Sequence, residues 1–422
     1  MRQDSLSQKI DWTTILLFLA MVLLGWLNIY AAEYDPDLDQ GILDFSTSSG
    51  RQFIWILTSG VLIVIVFLFD HNFFHSFAFI TYGVFVALLI LILLGGKEVA
   101  GSRSWVGIGS FGLQPSEFAK FATSLAIAKF LGQTNTKLEN VKSLVIAVCL
   151  IGLPMGLTIL QGDTGTALVF SSLAIPLFRE GMPTSILMIV FGLFLIFLLT
   201  LLLNQTVLLV IVAVIVLLAL GLNAREPRRI VIVIVSGVMV VLMIRSVDFI
   251  LSDVLKPHQQ KRVLSLVNPN ADPLGIGWNV TQSKIAIGSG GFTGKGFLEG
   301  TQTKFDFVPA QSTDFIFCTI GEEQGWIGSI LLVALFATFL LRLVFLAERQ
   351  KSAFARVYGY SVVSIIFFHF SVNIAMTIGL FPVVGIPLPF FSYGGSSLWA
   401  FTVLLFIFLK LDAQRMQVLQ RG

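Results

Sequence analysis

Apolar runs of about 20 residues recur along almost the whole chain, with mostly short polar segments between them. A run of this length crosses the hydrocarbon core of a bilayer when it forms an α-helix. Only 12% of the 422 residues are charged, whereas soluble domains typically carry about twice that fraction. The sequence therefore predicts an all-α polytopic integral membrane protein, with residues 1–422 forming a single transmembrane domain.

Twelve such runs are bounded by polar, Gly or Pro residues. They cover residues 12–32, 52–70, 73–94, 116–132, 142–160, 164–178, 183–203, 206–222, 229–250, 314–346, 354–380 and 390–411. Arg2 and Lys9 precede the first run, as in a signal peptide, but that run is long and many others follow. We therefore expect it to be retained as the first span. Cys149 and Cys318 lie inside apolar runs, where a thiol packs as a small hydrophobe.

The distribution of charge predicts the orientation of these spans. With a cytoplasmic N-terminus, alternate loops on the cytoplasmic side hold most of the loop cations. These are Lys137, Lys142, Arg179, Arg225, Arg228, Arg229, Arg349, Lys351, Arg356, Arg415 and Arg421. The opposite side receives the acidic loop 33–50, so both termini are expected in the cytoplasm. The net charge of +3 is too small to indicate nucleic-acid binding.

Two polar segments fall on the predicted outer side and can build a site together. Residues 252–313 form a large extracytoplasmic connection between spans 9 and 10, rich in Gly and Pro. Connections of this length are uncommon unless they are functional. Residues 97–116 are also too polar to face lipid. The long connection separates nine spans from three, which is not the equal division of a transporter built from two parallel halves.

Ionisable residues inside or beside the spans are the first candidates for a site. Glu117 and Lys120 are three residues apart at the start of the fourth span, so they share a helix face and can pair. The alternative is an ion pair that only fixes helix packing. Asp163 lies at the outer end of two spans, where a turn residue or a helix cap is the alternative to a site residue.

The long connection carries the other candidates. Asp272 lies between Pro and Gly residues that bend the backbone, and a carboxylate held in this way can act as a general base; an Asx-turn before Pro273 is the alternative. Nearby cations suit a phosphate or pyrophosphate, or else anionic lipid headgroups. They are Lys256, Lys261, Arg262, Lys284 and Lys295, the last within the Gly-rich run 288–296.

Acidic residues also open the tenth span. Asp314 lies in Thr313-Asp-Phe-Ile-Phe317, and Glu322 and Glu323 follow two turns later. They are expected to cap the helix or to line a cavity. The four histidines share no recognisable metal-ligand spacing, and His369, in the middle of a span, is interpreted as a hydrogen-bonded packing residue.

The order of these elements resembles the SEDS family of bacterial cell-wall polymerases (shape, elongation, division and sporulation) over nearly the whole chain. The resemblance is carried by several motifs. They are Gly101-Ser-Arg-Ser-Trp105, Gln114-Pro-Ser-Glu-Phe-Ala-Lys120, residues 268–278 with 281–288, Gly294-Lys-Gly296, Gly300-Thr-Gln302, Thr313-Asp-Phe-Ile-Phe317, Pro382-Val-Val-Gly-Ile-Pro-Leu-Pro389 and Ser392-Tyr-Gly-Gly-Ser-Ser397. The Gly-Lys-Gly and Gly-Thr-Gln elements look more like the elongation members than the division members.

This resemblance implies a peptidoglycan glycosyltransferase that polymerises lipid II at the outer face of the cytoplasmic membrane. Asp272 matches the essential acidic residue of the family. Substrate-binding or supporting roles are expected for Glu117, Lys120, Arg103, Trp105, Asp163, Arg262, Lys284, Lys295, Asp314 and Ser392. Arg103 and Trp105 could equally serve folding.

The family also implies partners: a class B penicillin-binding protein, which is a transpeptidase, and other membrane proteins of the elongation complex. No cofactor is certain, although a divalent cation such as Mg²⁺ or Mn²⁺ is compatible with pyrophosphate departure. The chain departs from the usual ten spans by two extra ones between about residues 185 and 222. A lipid II flippase, a division-type polymerase and a noncatalytic scaffold are the alternative functions.

Overall fold

Helices make up most of the chain. The computed structural model describes residues 10–35, 41–99, 101–108, 111–133, 136–222, 225–249, 260, 276–304 and 307–415. The α-helices in these residues are α1 Trp12–Ala32, α2 Ser48–Leu68, α3 His71–Gly95, α4 Pro115–Leu131, α5 Val141–Leu160, α6 Thr164–Phe170, α7 Ala174–Arg179, α8 Thr184–Leu202, α9 Gln205–Leu222, α10 Pro227–Phe249, α11 Ile276–Ser289, α12 Thr301–Lys304, α13 Ile316–Glu323, α14 Gly325–Glu348, α15 Ala353–Thr377 and α16 Gly395–Ala413. A 3₁₀ turn, Ser171–Leu173, joins α6 to α7. The predicted helical, polytopic architecture is confirmed.

The chain forms two compact units. One contains Met1–Met182 and Asn279–Gly422, and the other contains Pro183–Trp278. In the second unit α8, α9 and α10 pack on one another. Every candidate site residue that the structure describes lies in the first unit.

Nine of the described helices are long and apolar enough to cross a membrane, namely α1, α2, α3, α5, α9, α10, α14, α15 and α16. The other predicted spans coincide with α4, α6 to α7, and α8. Each of the twelve predicted runs therefore contains at least one helix in the described residues, and the chain is a multi-pass membrane protein. The number of crossings remains a prediction.

Burial separates the central helices from the peripheral ones. In α2 and in α3, only 17% of the most apolar 18-residue stretch of the helix is buried, compared with 61% in α15 and 83% in α16. All but three of the 17 residues of α4 are buried, although this helix contains Ser, Thr, Glu and Lys side chains. Small and polar residues at helix interfaces allow close approach and hydrogen bonding within a membrane. Helix α4 therefore lies at the centre of the first unit.

The tenth predicted span, residues 314–346, is not continuous. Helix α13 ends at Glu323, and α14 begins at Gly325 after Gln324. Gly325 has a φ of +62°, and a Cβ atom at this position would lie 2.4 Å from the Gly294 backbone nitrogen. Only glycine fits this left-handed and crowded position. The prediction of one uninterrupted helix was wrong because the run is apolar on both sides of the break.

The twelfth predicted span, residues 390–411, also begins too early. Helix α16 starts at Gly395. Before it, the Leu388 backbone N–H donates to Ser392 Oγ at 2.9 Å, and the Tyr393 backbone N–H donates to the Ser312 carbonyl at 2.9 Å. These hydrogen bonds take the place of the backbone hydrogen bonds of a helix. The predicted start of the span was several residues too early because it was based on apolar composition alone.

A small antiparallel sheet adds to the expected all-α fold. Strands β1 Lys97–Val99, β2 Ser102–Ile108 and β3 Phe111–Leu113 pair in the order β1-β2-β3. Lys97 pairs with Trp105, and Val106 pairs with Leu113. The sheet satisfies the backbone groups of a polar segment that cannot face lipid unpaired.

The long connection, residues 252–313, is partly helical rather than entirely loop. Its described residues contain the whole of α11 and α12. The Ser283 hydroxyl donates to the Thr377 carbonyl at 2.9 Å, so α11 is bonded to the end of α15.

The first unit has two ends, which are distinguished by the segments that lie at each, and the inner end is joined by ion pairs. We call the end that holds 97–114 and 380–394 the outer end, and the end that holds 349–352 and 412–415 the inner end. At the inner end, ion pairs join Arg179 to Glu348, Arg356 to Glu180, Arg349 to Asp412 and Arg342 to Asp11. Arg179, Arg349 and Arg356 are among the cations predicted to lie on the cytoplasmic side.

Candidate active site

The predicted pairing of Glu117 and Lys120 is confirmed. Helix α4 begins with Pro115, so Glu117 lies in the first turn, where the helix dipole favours a carboxylate. Lys120 Nζ donates to Glu117 Oε2 at 2.8 Å, and the two side chains are only 2% and 3% exposed. Neither group therefore lines an open path in this structure, and a substrate outside the protein does not touch them.

His369 completes this cluster. Its Nε2 lies 2.9 Å from Lys120 Nζ, and its Nδ1 lies 3.1 Å from the Pro387 carbonyl oxygen. A carbonyl only accepts, so Nδ1 carries the hydrogen and Nε2 accepts from the ammonium group. The prediction that His369 is a buried, hydrogen-bonded residue is confirmed. Its partner was missed because Lys120 is 249 positions away in the sequence.

Asp163 is the N-cap of α6, as one of the two interpretations predicted. Its carboxylate accepts from the Thr166 backbone N–H at 3.0 Å. The same group accepts from Gln114 Nε2 at 2.6 Å and from Ser116 Oγ at 3.4 Å, which joins α6 to the start of α4. It also attracts the Lys120 ammonium group electrostatically. Asp163, Glu117 and Lys120 thus belong to one neighbourhood.

Residues 380–394 are fixed to this neighbourhood by hydrogen bonds. Asn373 Nδ2, one turn after His369 on α15, donates to the carbonyls of Asp314 and Ile386, at 2.8 Å each. Ser392 Oγ donates to the Thr313 carbonyl at 2.6 Å. Two of the predicted site residues therefore take part in joining backbone segments at the outer end, Asp314 through its carbonyl and Ser392 through its hydroxyl.

The start of α16 is tied to the start of α4. The Gln114 backbone N–H donates to Ser396 Oγ at 3.2 Å, and Ser396 Oγ donates to the Gly112 carbonyl at 3.1 Å. The last helix of the described chain therefore fixes the segment that carries Gln114.

Arg103 and Trp105 lie on β2. The Arg103 backbone N–H donates to the Gln161 carbonyl at 2.8 Å, while its side chain is exposed. Trp105 packs over Gly112, where a Cβ atom would lie 3.0 Å from Trp105 Cε3. The contact at Trp105 supports the folding role that was offered as an alternative.

The Gly-rich run 288–296 packs against the break between α13 and α14. A Cβ atom at Gly290 would lie 2.0 Å from the Gly321 carbonyl oxygen, and one at Gly294 would lie 2.0 Å from the Glu323 carbonyl oxygen. The backbone N–H groups of Lys295 and Gly296 donate to the carbonyls of Glu322 and Glu323. These glycines allow close backbone packing, which accounts for the run without a bound phosphate.

Lys295 pairs with Glu322. Its Nζ lies 2.6 Å from Glu322 Oε1 and 2.6 Å from Thr301 Oγ1. The Glu322 carboxylate also accepts from the backbone N–H groups of Thr301, Gln302 and Thr303, at 2.8–2.9 Å. Glu322 therefore caps the short helix α12, rather than its own helix. A capping role for this residue was predicted, but no local pattern identifies which helix it caps.

Glu322 and Glu323 lie outside the span formed by α14, and their pKa values shift in opposite directions. Burial acts to raise the pKa of Glu322, but hydrogen bonds from Gln302, Lys295 and Thr303 outweigh it and lower that pKa. Burial raises the pKa of Glu323 to about 7, against the effect of hydrogen bonds from the backbone of Leu298 and Gly300. Glu322 therefore stays ionised at neutral pH, whereas Glu323 takes up a proton near neutrality.

The remaining candidates are placed as follows. Lys284 lies on α11 beside Gly379, with its Nζ 3.7 Å from the position of a Cβ atom there. Arg262 and Asp272 lie outside the described residues. Among the described residues, no three His, Cys, Asp or Glu side chains come together as a metal site, so no ligand set for a divalent cation is identified there.

Comparison with known proteins agrees with the motif resemblance. The profile of the FtsW/RodA/SpoVE family, described as cell cycle protein, matches residues 11–206 and 184–417. The peptidoglycan glycosyltransferase RodA of Treponema pallidum is 33% identical, over 96% of this chain and 98% of the relative. The peptidoglycan glycosyltransferase MrdB of Escherichia coli K12 is 32% identical, over 92% of this chain and 90% of the relative.

A solved structure is also similar. A chain from a peptidoglycan synthase complex, described as coordinating polymerization and crosslinking, superimposes with a TM-score of 0.71 at 27% identity. The match covers 97% of this chain and 99% of that chain. The chain therefore belongs to the FtsW/RodA/SpoVE family.

Proposed function

We propose that this chain polymerises lipid II into glycan strands during cell elongation, at the outer face of the bacterial cytoplasmic membrane, and releases undecaprenyl pyrophosphate. The chain is a peptidoglycan glycosyltransferase of the elongation type, and its full-length similarity to RodA and MrdB carries this conclusion. The outer end described above is the face that we assign to the extracytoplasmic side, because the predicted cytoplasmic cations Arg179, Arg349 and Arg356 lie at the inner end.

Glycosyl transfer needs a base and a way to stabilise the leaving group. Asp272 is the proposed general base, which takes the proton from the acceptor sugar hydroxyl as it attacks the anomeric carbon. The departing pyrophosphate gains negative charge, which nearby cations stabilise. Arg262 and Lys284 are the proposed cations for this role. Lys295 is a weaker candidate, since its ammonium group is already bound by Glu322.

The buried residues have a different proposed role. Because Glu117 and Lys120 are enclosed, we assign them to positioning the outer end instead of contacting pyrophosphate. Asp163, through Gln114 and Ser116, and Ser392, through Thr313, hold backbone segments of the outer end together. Arg103 and Trp105 are assigned to supporting the sheet at the same end.

The test is polymerisation of labelled lipid II by the purified chain together with a class B penicillin-binding protein. Asp272→Asn should lower the rate about 10²–10⁴-fold, which is the usual contribution of a general base. Glu299→Gln is the matched control, because it makes the same chemical change at an exposed position of the same connection. An active Asp272→Asn variant would show that Asp272 is not the general base. An inactive wild type would overturn the proposed function.

The proposed partner is that transpeptidase, within an assembly that includes other elongation-complex membrane proteins. The similarity to a chain of a peptidoglycan synthase complex supports this proposal. Co-purification from membranes tests it, and full activity of the isolated chain without any stable association would contradict it.

A further inference from the structure

We propose that His369 is a positioning residue for glycosyl transfer, which connects the buried Glu117–Lys120 pair to residues 382–389 at the outer end. This inference rests on the proposed function and deepens it. It starts from the observation that His369 bonds to groups on two different elements: Lys120 of α4 and Pro387 of the Pro-rich segment.

The contacts of His369 specify one form of the imidazole. Nδ1 must carry a hydrogen to donate to the Pro387 carbonyl, and Nε2 must be unprotonated to accept from the Lys120 ammonium. The side chain is completely buried, and the Phe401 ring packs against it edge-on, with ring centroids 4.8 Å apart. The imidazole is therefore held as a neutral ring in a single orientation.

Hydrogen bonds continue from His369 to the outer end. Pro387 precedes Leu388, whose backbone N–H donates to Ser392 Oγ, and Ser392 Oγ in turn donates to the Thr313 carbonyl. Asn373 holds the neighbouring Ile386 carbonyl from the next turn of α15. Two successive carbonyls of the segment are thus fixed by side chains of one helix, and one of these side chains, His369, is also bonded to Lys120 of the ion pair.

This arrangement explains how an enclosed ion pair can affect a reaction that it does not touch. Lys120 shares its ammonium group between Glu117 and His369 and lies 4.9 Å from the Phe401 ring centroid. Removing the imidazole leaves a buried ammonium donor and a buried carbonyl without their partner, so the segment is expected to shift. Small misplacements far from the reacting atoms can lower turnover about 100-fold.

The experiment measures lipid II polymerisation by the full chain in complex with the transpeptidase. His369→Ala should lower kcat about 100-fold and leave KM for lipid II within about threefold, because the lost interaction positions the site and does not bind substrate. His369→Gln, whose amide retains an acceptor and a donor, should recover at least about tenfold of the lost kcat.

Two controls make the result specific. His75→Ala removes a histidine that packs against the Phe354 ring outside this cluster, and its kcat should stay within about threefold of wild type. Size-exclusion elution and the midpoint of thermal unfolding establish that each variant is folded. Wild-type activity and its loss in Asp272→Asn show separately whether the proposed function holds.

The inference is overturned if folded His369→Ala keeps a kcat within about threefold of wild type. It is also overturned if only KM rises, or if folded His369→Gln is no more active than His369→Ala. An inactive wild type would instead be a failure of the proposed function.

Discussion

The inner and outer ends of the first unit use charged and polar groups in different ways. At the inner end, the Arg179–Glu348 pair is nearly half exposed, with side-chain exposures of 46% and 48%, whereas Asp412, shared by Arg349 and Arg415, is buried. At the outer end, Glu117, Lys120 and His369 form an enclosed cluster that is bonded to the segment around Pro387.

This difference shows what each end can tolerate. An exposed ion pair can be lost at little cost, because water solvates the remaining charge. An enclosed pair cannot lose one member without leaving a charge in a low-dielectric environment. We therefore expect substitutions at the outer cluster to be severe and those at exposed inner pairs to be mild.

Lys120→Met should have the largest effect on stability. It leaves the buried Glu117 carboxylate without its cation, and breaking a buried pair in this way costs about 3–5 kcal/mol. The midpoint of thermal unfolding in detergent measures the loss. The Glu117→Gln/Lys120→Met double variant, which has no uncompensated charge, should regain most of it. Equal losses in the single and double variants would contradict the comparison.

Glu323 should make stability depend on pH. Its pKa is about 7 in the folded state and 4.5 in the unfolded state, so between these values the folded state binds more protons than the unfolded state. Stability should therefore fall by about 3 kcal/mol as pH rises from about 4.5 to 7. Glu323→Gln should remove this dependence when unfolding is followed between pH 5 and pH 8.

Glu322 supplies the opposite case. Because its pKa is lowered in the folded state, its contribution to stability is fully present above the unfolded pKa and is lost as pH falls through the folded pKa. Glu322→Gln should therefore destabilise the protein at neutral pH. A Glu322→Gln variant as stable as wild type at pH 7 would show that capping of α12 contributes nothing.

Gly294→Ala tests the close packing at the helix break. The added methyl group would lie 2.0 Å from the Glu323 carbonyl oxygen, at a residue whose φ is +80°. Overpacking of this kind costs about 1–3 kcal/mol. Gly288→Ala is the matched control, because a Cβ atom there meets nothing within 4 Å. The two thermal midpoints should differ, and equal midpoints would mean that the segment moves freely.

Arg179→Ala should have the smallest effect. The exposed pair with Glu348 is expected to contribute at most about 1 kcal/mol, and less at high salt. The measurement is the thermal midpoint at low and high salt. A loss as large as that of Lys120→Met would show that the inner end depends on its charges as strongly as the outer end does.

The sequence predicted the helices well, because hydrophobicity is a local property of each run. It also predicted the Glu117–Lys120 pair, since a spacing of three residues specifies a shared helix face. It did not predict the sheet at 97–113 or the break at Gly325, because both depend on contacts between segments. The partner of His369 was beyond reach for the same reason, and no local pattern marks Glu322 as the cap of α12.

The bond between Gln114 and Ser396 has a consequence for biosynthesis. These residues are 282 positions apart, so at usual translation rates Ser396 is made on the order of tens of seconds after Gln114. Until then, the segment before α4 lacks this partner within the membrane. The outer end is therefore completed only when the last helix inserts, and a ribosome that stalls before α16 would leave a chain with most of its helices and an unfinished outer end.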